Sequence, residues 1–478
     1  MTSLTARTEN SRRLDVWKWS DHPKVHLLIN DAYEYYFRGF KHPRAKQHVK
    51  VLLLDLFVAW NEDPTQSIGV SMRPSEYSKN SSYKKIFITQ FIIKVVKRAK
   101  ERGLIDSWEG QFDLERVTRI WASSLLINLF KRYKLTAKHI IHNHQRPSII
   151  IRDQNGDDID FNDNDFSADD QWLLATMRDD LAKYNSFLEQ SFIDIPSAIR
   201  RILKVNRSGK QTTIVTISDN QKYVYRVFNN DSLYEGGRFY GGWWQNLPKL
   251  IRQKIFINCE PTVEIDFCGL HINLLYAVFG LSPQMYPARL TPYEITLKIK
   301  TDKVTQRKIL KQLLLISLNA KNDATALSAF RVWLTENNLQ NLFPNLKNAT
   351  LQSMCLKPLK QKHQAIIGAF ATGAGVSLMN ADSKIMELII NKAVQLGIVI
   401  LPMHDSVIVQ EKHQNTLQTI MENAFEAFSD DPFAPTKTTH PRHQNKTNRY
   451  LARERKWREE QEQRKKATTI TGIAALIL

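Results

Sequence analysis

Cysteine is scarce in this chain of 478 residues: only Cys259, Cys268 and Cys355 occur, with no CxxC pair and no zinc-ligand spacing. That excludes a disulfide framework and fits a reducing, cytoplasmic setting. Long apolar runs are missing too. VLLLDLFVAW (51–60) is about half the ~20 residues a membrane span needs and carries an aspartate, so it reads as a core helix and no membrane partner is expected. The opening MTSLTARTENSRRLDVWKWS has no apolar segment of the kind a secretion signal requires. Negative charge is the third deficit, with 48 Asp and Glu against 67 Lys and Arg, a formal net of +19. An excess of that size points to a polyanionic partner, above all nucleic acid. Residues 437–466 hold eleven Lys or Arg against four Glu, which leaves about +12 on the rest of the chain, so the body is basic as well as the tail. What is present, a 42% apolar fraction and ten tryptophans, describes folded domains.

The chain divides by pattern, without internal repeats. After an N-terminal segment (1–40), AKQHVKVLLLDLFVAW has helical apolar spacing and ends in the turn-like NEDP. SYKKIFITQFIIKVVKRAKERGLI follows as a basic amphipathic helix over about 86–102. Ile88, Phe91, Ile92, Val95 and Ala99 line one side, Lys94, Lys97, Arg98 and Lys100 face away, and Gly103 stands where a C-cap belongs. A turn at Gly110 leads into the alternating RVTRIWAS, with Arg116 and Arg119 on the wing. Residues 41–135 thus resemble a winged helix-turn-helix of the plasmid replication-initiator type, which implies duplex DNA as a partner; a helical module with a solvated basic face is the plainer reading. An acidic linker (136–168) carries most of the eight aspartates of 153–170, without the Gly and Glu positions of a calcium loop. Helices and a hairpin, QTTIVTI-SDN-QKYVYRVF, fill a thumb-like part at 169–235. From 431 to 478 the chain turns polar and basic, a solvated helix or tail.

The chemistry concentrates at two aspartates. TVEI runs as a strand into Asp266 and passes at once into a helix marked by Leu270, Leu274, Leu275 and Val278. Far downstream, LPMHDSVIVQ sets His404-Asp405 between two apolar strands. A carboxylate in such a hairpin is costly unless something holds it. Two carboxylates on adjacent strands repel unless a divalent cation lies between them, the arrangement of two-metal phosphoryl transfer. Between the two, RKILKQLLLISLNA spaces Arg307, Lys311, Leu315 and Asn319 by four, one helical face with two cations suited to a triphosphate.

These stretches resemble the palm of family A DNA polymerases and of the related single-subunit RNA polymerases. DFCGLHINLLYA is similar to that family's motif A, RKILKQLLLISLNA to motif B and HDSVIVQ to motif C. Upstream, GGRFYGGWWQNLPKLIRQKI follows the family's Gly-Arg and Gln-Asn pattern, and SLMNADSKIMELIINKAVQLGIVILPMHDS resembles its helix running into motif C. The resemblance spans about 190 residues and implies an α+β fold, a right-hand palm and fingers on an antiparallel sheet (236–430). It further implies Asp266 and Asp405 as catalytic metal ligands, with the Phe267 carbonyl a possible third. Two Mg²⁺ ions, or Mn²⁺, are the implied cofactors, and nucleoside triphosphates and a primer-template the implied substrates. Arg307, Lys311, Leu315, Asn319 and His271 would face the nucleotide, and Arg238, Gln245, Asn246 and His404 the primer-template.

Departures bear on the sugar. His271 stands where family A DNA polymerases carry Glu, Leu315 replaces an aromatic residue, Asn319-Ala320 replaces Tyr-Gly, and Ser406 replaces the Glu of motif C, as in single-subunit RNA polymerases. His271 also suits a core or capping histidine, and Trp243-Trp244 suit either a packed turn or a stacking platform. The implied activity is a DNA-directed DNA polymerase. The alternatives are an RNA polymerase or primase, and a non-catalytic DNA-binding replication protein with a degenerate palm. An initiator-like module joined to a small polymerase would suit a mobile element.

Overall fold

The structure is a computed structural model that describes residues 7, 11–79, 88–109, 117–143, 146–197, 201–205, 212–217, 222–442, 444–448 and 450–462. The chain is a mixed α+β protein in two compact units, residues 1–147 with 158–161, and residues 148–157 with 162–478. No described helix is long and apolar enough to cross a membrane.

In the first unit, β1 (Ser11–Arg13), α1 (Pro23–Ala32), α2 (Ala45–Glu62), β2 (Ser67–Val70), α3 (Phe91–Glu101), β3 (Ile105–Trp108), β4 (Thr118–Ala122) and α4 (Ser124–Arg132) follow in order. The sheet runs β1-β2-β4-β3, parallel only at β1-β2. Helix α2 is buried almost all round, because VLLLDLFVAW has no polar stripe to turn toward water. Asp55, the charged residue within that run, is fully buried and paired with the Arg12 guanidinium through bonds of 2.8 and 2.5 Å, while the Asp15 N–H donates to it at 2.9 Å. This unit therefore takes in the described residues 11–40, whose β1 supplies that arginine. Helix α3 buries Ile92, Val95 and Ala99, each Val or Ile worth about 1.5–3 kcal/mol, and leaves Lys94, Lys97 and Lys100 exposed. It ends at Gly103, whose φ of +70° lets the Leu104 N–H reach back to the Ala99 carbonyl. Residues 86 and 87 of the expected helix, Gly110 and Arg116 lie outside the described residues.

The second unit contains β5 (Ile149–Ile151), α5 (Ala168–Gln190), β6 (Ile193–Asp194), β7 (Arg201–Val205), β8 (Thr212–Thr216), β9 (Tyr225–Phe228), β10 (Gly236–Tyr240), β11 (Phe256–Ile257), β12 (Glu260–Phe267) and α6 (Leu270–Val278). After these come α7 (Lys303–Asn319), α8 (Asp323–Glu336), α9 (Gly375–Gln395), β13 (Ile400–Met403), β14 (Ser406–Gln410), α10 (Gln414–Ser429) and β15 (Thr436–Thr439). The main sheet runs β13-β14-β12-β11-β6, with β15 also paired to β12, and every pair in it is antiparallel. Pro402 is tolerated in β13 because that strand is an edge.

Three expectations need correction. The hairpin expected across 211–228 does not form: β8 pairs with β7, and β9 lies between β10 and β5. All of these segments alternate with period two, so the pattern could not say which neighbour each would choose. Strand β5 also falls inside the stretch read as an acidic linker, whose aspartates serve as turn and cap acceptors: Asp153 takes the Asn155 and Asp157 N–H groups, and Asp163 pairs with Arg178. Residues after 430, read as a tail, supply β15 and a helical run at 450–462. Tyr450 of that run is buried against Phe192 and Phe256.

Candidate active site

Strand β12 delivers Asp266 at its second-last position, and the β13–β14 hairpin delivers Asp405 in a two-residue turn closed by the Met403–Ser406 pair. Register places Asp266 opposite Ser406, and the Phe267 N–H donates to the Asp405 carbonyl at 3.1 Å, so the two aspartates meet at one end of the sheet. His404, the other turn residue, takes a φ of +47°, strain that a tight turn beside a functional side chain commonly stores. Burial first, and the nearby Asp266 charge second, push the Asp405 carboxyl above its ordinary range, while Lys311 and Arg238 pull it back. Asp266 has its own cation: the Lys437 ammonium of β15 lies 3.0 Å from its Oδ2.

Helix α7 starts with Asp302 capping the Thr305 N–H and presents Arg307, Lys311 and Asn319 exposed, with Leu315 half-buried, on the face that their spacing by four predicts. Burial raises the Cys268 thiol, and Lys437, Arg307 and Lys311 oppose that rise, which places three cations around the residue two after Asp266. The Tyr293 ring receives the Arg307 guanidinium 5.1 Å from its centroid. Burial pushes its hydroxyl up to about 12, with Asp405, Cys268 and Asp266 adding to the rise and Arg307 opposing it. At the other end of α7, Gly375 lies so close to Asn319 that a Cβ there would displace the Asn319 amide.

Of the remaining predicted residues, all but Asn246 are engaged within the protein. Arg238 forms an ion pair with Asp382, a carboxylate of α9 with no exposed side-chain surface, and His271 Nε2 lies 2.8 Å from the same carboxylate. His271 and Arg238 are thus joined through a residue that sequence reasoning did not single out. Gln245 donates to the backbone carbonyls of Phe239 and Pro402, at 3.0 and 3.1 Å, and Asn246 is exposed. Trp243 and Trp244 are buried edge to face against each other, so of the two readings of that pair the packed turn holds. His404 stands with its ring centroid 5.7 Å from that of Tyr240. Ser406 donates to Glu264, which Arg252 holds by two bonds. Val278, expected on the buried side of α6, is 72% exposed, and Ile272 and Tyr276 take the core positions instead.

Lys437, Asp382 and Tyr293 are the site residues that sequence reasoning missed. An aspartate within the apolar periodicity of NADSKIMELII was the one available signal for Asp382. Lys437 sits in TKTTH, whose β-branched run was masked by its polar surroundings.

Among the described residues, no cluster of three or more His, Cys, Asp or Glu side chains could hold a metal ion. Two carboxylates nevertheless suit a hard cation such as Mg²⁺, which keeps several waters and takes substrate phosphate oxygens as ligands. The ammonium already resting on Asp266 is the observation behind that fit: the carboxylate pair draws a cation even from within the chain.

No known protein family and no curated protein matches the chain. Among solved structures it is similar to the POL domain of Pol1 from M. smegmatis, in complex with DNA primer-template and dNTP. Identity is 12%, with 91% of this chain and 79% of that chain covered, at a TM-score of 0.26. A likeness at that level carries no functional argument, which rests on the geometry of the site.

Proposed function

We propose that the chain is a template-directed nucleic-acid polymerase, a DNA-directed DNA polymerase that adds dNTPs to a primer 3′-hydroxyl. The observation that carries this reading is the convergence of Asp266 and Asp405 at one sheet end, with Lys311 within electrostatic reach of Asp405 and the exposed α7 face beside it. Asp266 and Asp405, with the Phe267 carbonyl, would hold Mg²⁺, or Mn²⁺ in its place. Bound there, divalent cations would lower the pKa of the 3′-hydroxyl and neutralise the leaving pyrophosphate. Lys311 and Arg307 would bind the triphosphate and offset the charge that develops on it, with Tyr293 holding the guanidinium in place.

Arg238 and His271, held by Asp382, would form a rigid floor for the primer terminus, beside His404 and the exposed Asn246. Gln245, bonded to two backbone carbonyls, would act by bracing that floor against β13. Leu315 and Asn319 would lie against the incoming base. The first unit, with its exposed lysines on α3 and the antiparallel pair β3–β4, would add duplex contacts in the manner of a winged helix. Primer extension with separate dNTP and rNTP pools tests the proposal. Extension with dNTPs that Asp405→Asn abolishes supports it, extension with rNTPs alone reassigns the sugar, and no extension from either pool rejects it.

A further inference from the structure

One side chain at the carboxylates has no task in the reading above. Lys437 lies directly opposite Asp266 across the β12–β15 pair, its ammonium 3.0 Å from Asp266 Oδ2. The sheet builds this contact. Register is held on both sides, by Glu264 opposite Thr439 and Phe267 opposite Thr436, and the Cys268 N–H donates to the Pro435 carbonyl at 2.7 Å. Backbone pairing therefore aims the lysine at the carboxylate, where a lysine on a free tail would sample water. The side chain is nonetheless 49% exposed, on a flexible four-carbon stem, so it can leave without disturbing the core.

We propose that Lys437 is a resident counter-cation, a positioning residue that holds Asp266 when no divalent ion is bound and competes with that ion for the same carboxylate oxygen. The proposal rests on the polymerase reading, since it takes Asp266 and Asp405 as the metal site. Its physical basis is simple. An ammonium at hydrogen-bond distance offsets the negative charge of Asp266, and it repels a dication that coordinates the same carboxylate. Among the described residues, Asp405 makes no ion pair, so only one carboxylate of the pair carries such a counter-cation. Lys437 thus lets the pair fold with one carboxylate already neutralised, at the cost of weaker metal binding in the absence of nucleotide. Removing one unit charge at this range is expected to tighten metal binding about tenfold, allowing for solvent screening.

The test is Mn²⁺ binding to the full chain without nucleotide, read as free Mn²⁺ by electron paramagnetic resonance. Wild type is compared with Lys437→Gln, Lys437→Ala, Lys437→Arg and the double variant Lys437→Gln/Asp405→Asn. The expected result is binding about tenfold tighter in the Gln and Ala variants, near wild type in the Arg variant, and lost in the double variant. Equal or weaker binding in Lys437→Gln and Lys437→Ala, with binding still lost in the double variant, overturns the role of Lys437 and leaves the carboxylate pair standing as the metal site. Mn²⁺ binding that ignores Asp405→Asn overturns both.

Discussion

The two aspartates are expected to respond alike in catalysis and differently in stability. Asp405→Asn removes a carboxylate whose ionised form is disfavoured by burial and by the Asp266 charge, with Lys311 and Arg238 opposing. Asp266→Asn removes one that Lys437 neutralises. Losing either should cost several kcal/mol of transition-state stabilisation, hence roughly 10³-fold or more in extension rate. For stability the signs separate. The Asp405 carboxyl titrates above its unfolded value, so the folded state holds that proton more tightly. The associated stability is complete below the ordinary carboxylate range and is lost as pH rises through the raised value. At neutral pH the ionised group costs stability, and asparagine removes that cost. Two unit charges ~5 Å apart repel by about 1 kcal/mol in water and about 3 kcal/mol at an effective dielectric of 20, and partial exposure favours the lower figure. In metal-free buffer at pH 7, Asp405→Asn should therefore raise Tm by about 1–3 °C, a gain that vanishes near pH 3. Asp266→Asn should give no gain, because it strands Lys437. Calorimetry of both variants at the two pH values, with primer extension alongside, checks the pair. A lower Tm for Asp405→Asn at neutral pH refutes the electrostatic account, and near wild-type extension by both variants refutes the polymerase reading.

Lys311→Ala should raise the nucleotide KM or lower kcat while primer-template affinity, measured by fluorescence anisotropy, stays unchanged; equal loss of both would place Lys311 on the duplex. Asp382→Ala should destabilise the second unit by about 3–5 kcal/mol in chemical denaturation, since it leaves the Arg238 guanidinium mostly buried without its carboxylate, and the double variant with Arg238→Ala should recover part of that loss. On the first unit, Lys100 pairs with Glu109 and Arg98 with Glu101, so among the described residues the unpaired charge of α3 is carried by Lys94 and Lys97. Replacing both with alanine in the full chain should flatten the slope of log K against log salt for duplex binding by about 2, and an unchanged slope would make that face a solvated surface.

What the sequence disclosed follows from the range of each interaction. Helices α2, α3 and α7 were legible because their apolar spacing is local, and so were the strand that carries Asp266 and the hairpin that carries Asp405, since each aspartate interrupts an apolar run at its own position. Pairing between distant segments was not legible. The alternation in QTTIVTI and QKYVYRVF marks both as strands, yet β8 chose the segment before it and β9 chose β5 and β10, a choice made by burial of side chains such as Arg226 and Phe228 that period two cannot encode. Asp382 was hidden because a buried carboxylate looks like an error in a helical pattern until its partners, 144 and 111 residues away, are known.

Lys437 shows the same limit at the site itself. A composition boundary at 430 separates apolar from polar sequence, but β12 needs a hydrogen-bonding partner along its second edge whatever the polarity of the chain that supplies it. A threonine-rich strand with one lysine meets that need, because backbone pairing is indifferent to side chains and threonine suits a half-exposed strand. Once the strand is paired, register alone brings the lysine to Asp266. The charge at this carboxylate is therefore set by a segment whose composition marks it as peripheral, and a polar stretch after an apolar sheet is best examined for the edge it could cover before it is set aside as a tail.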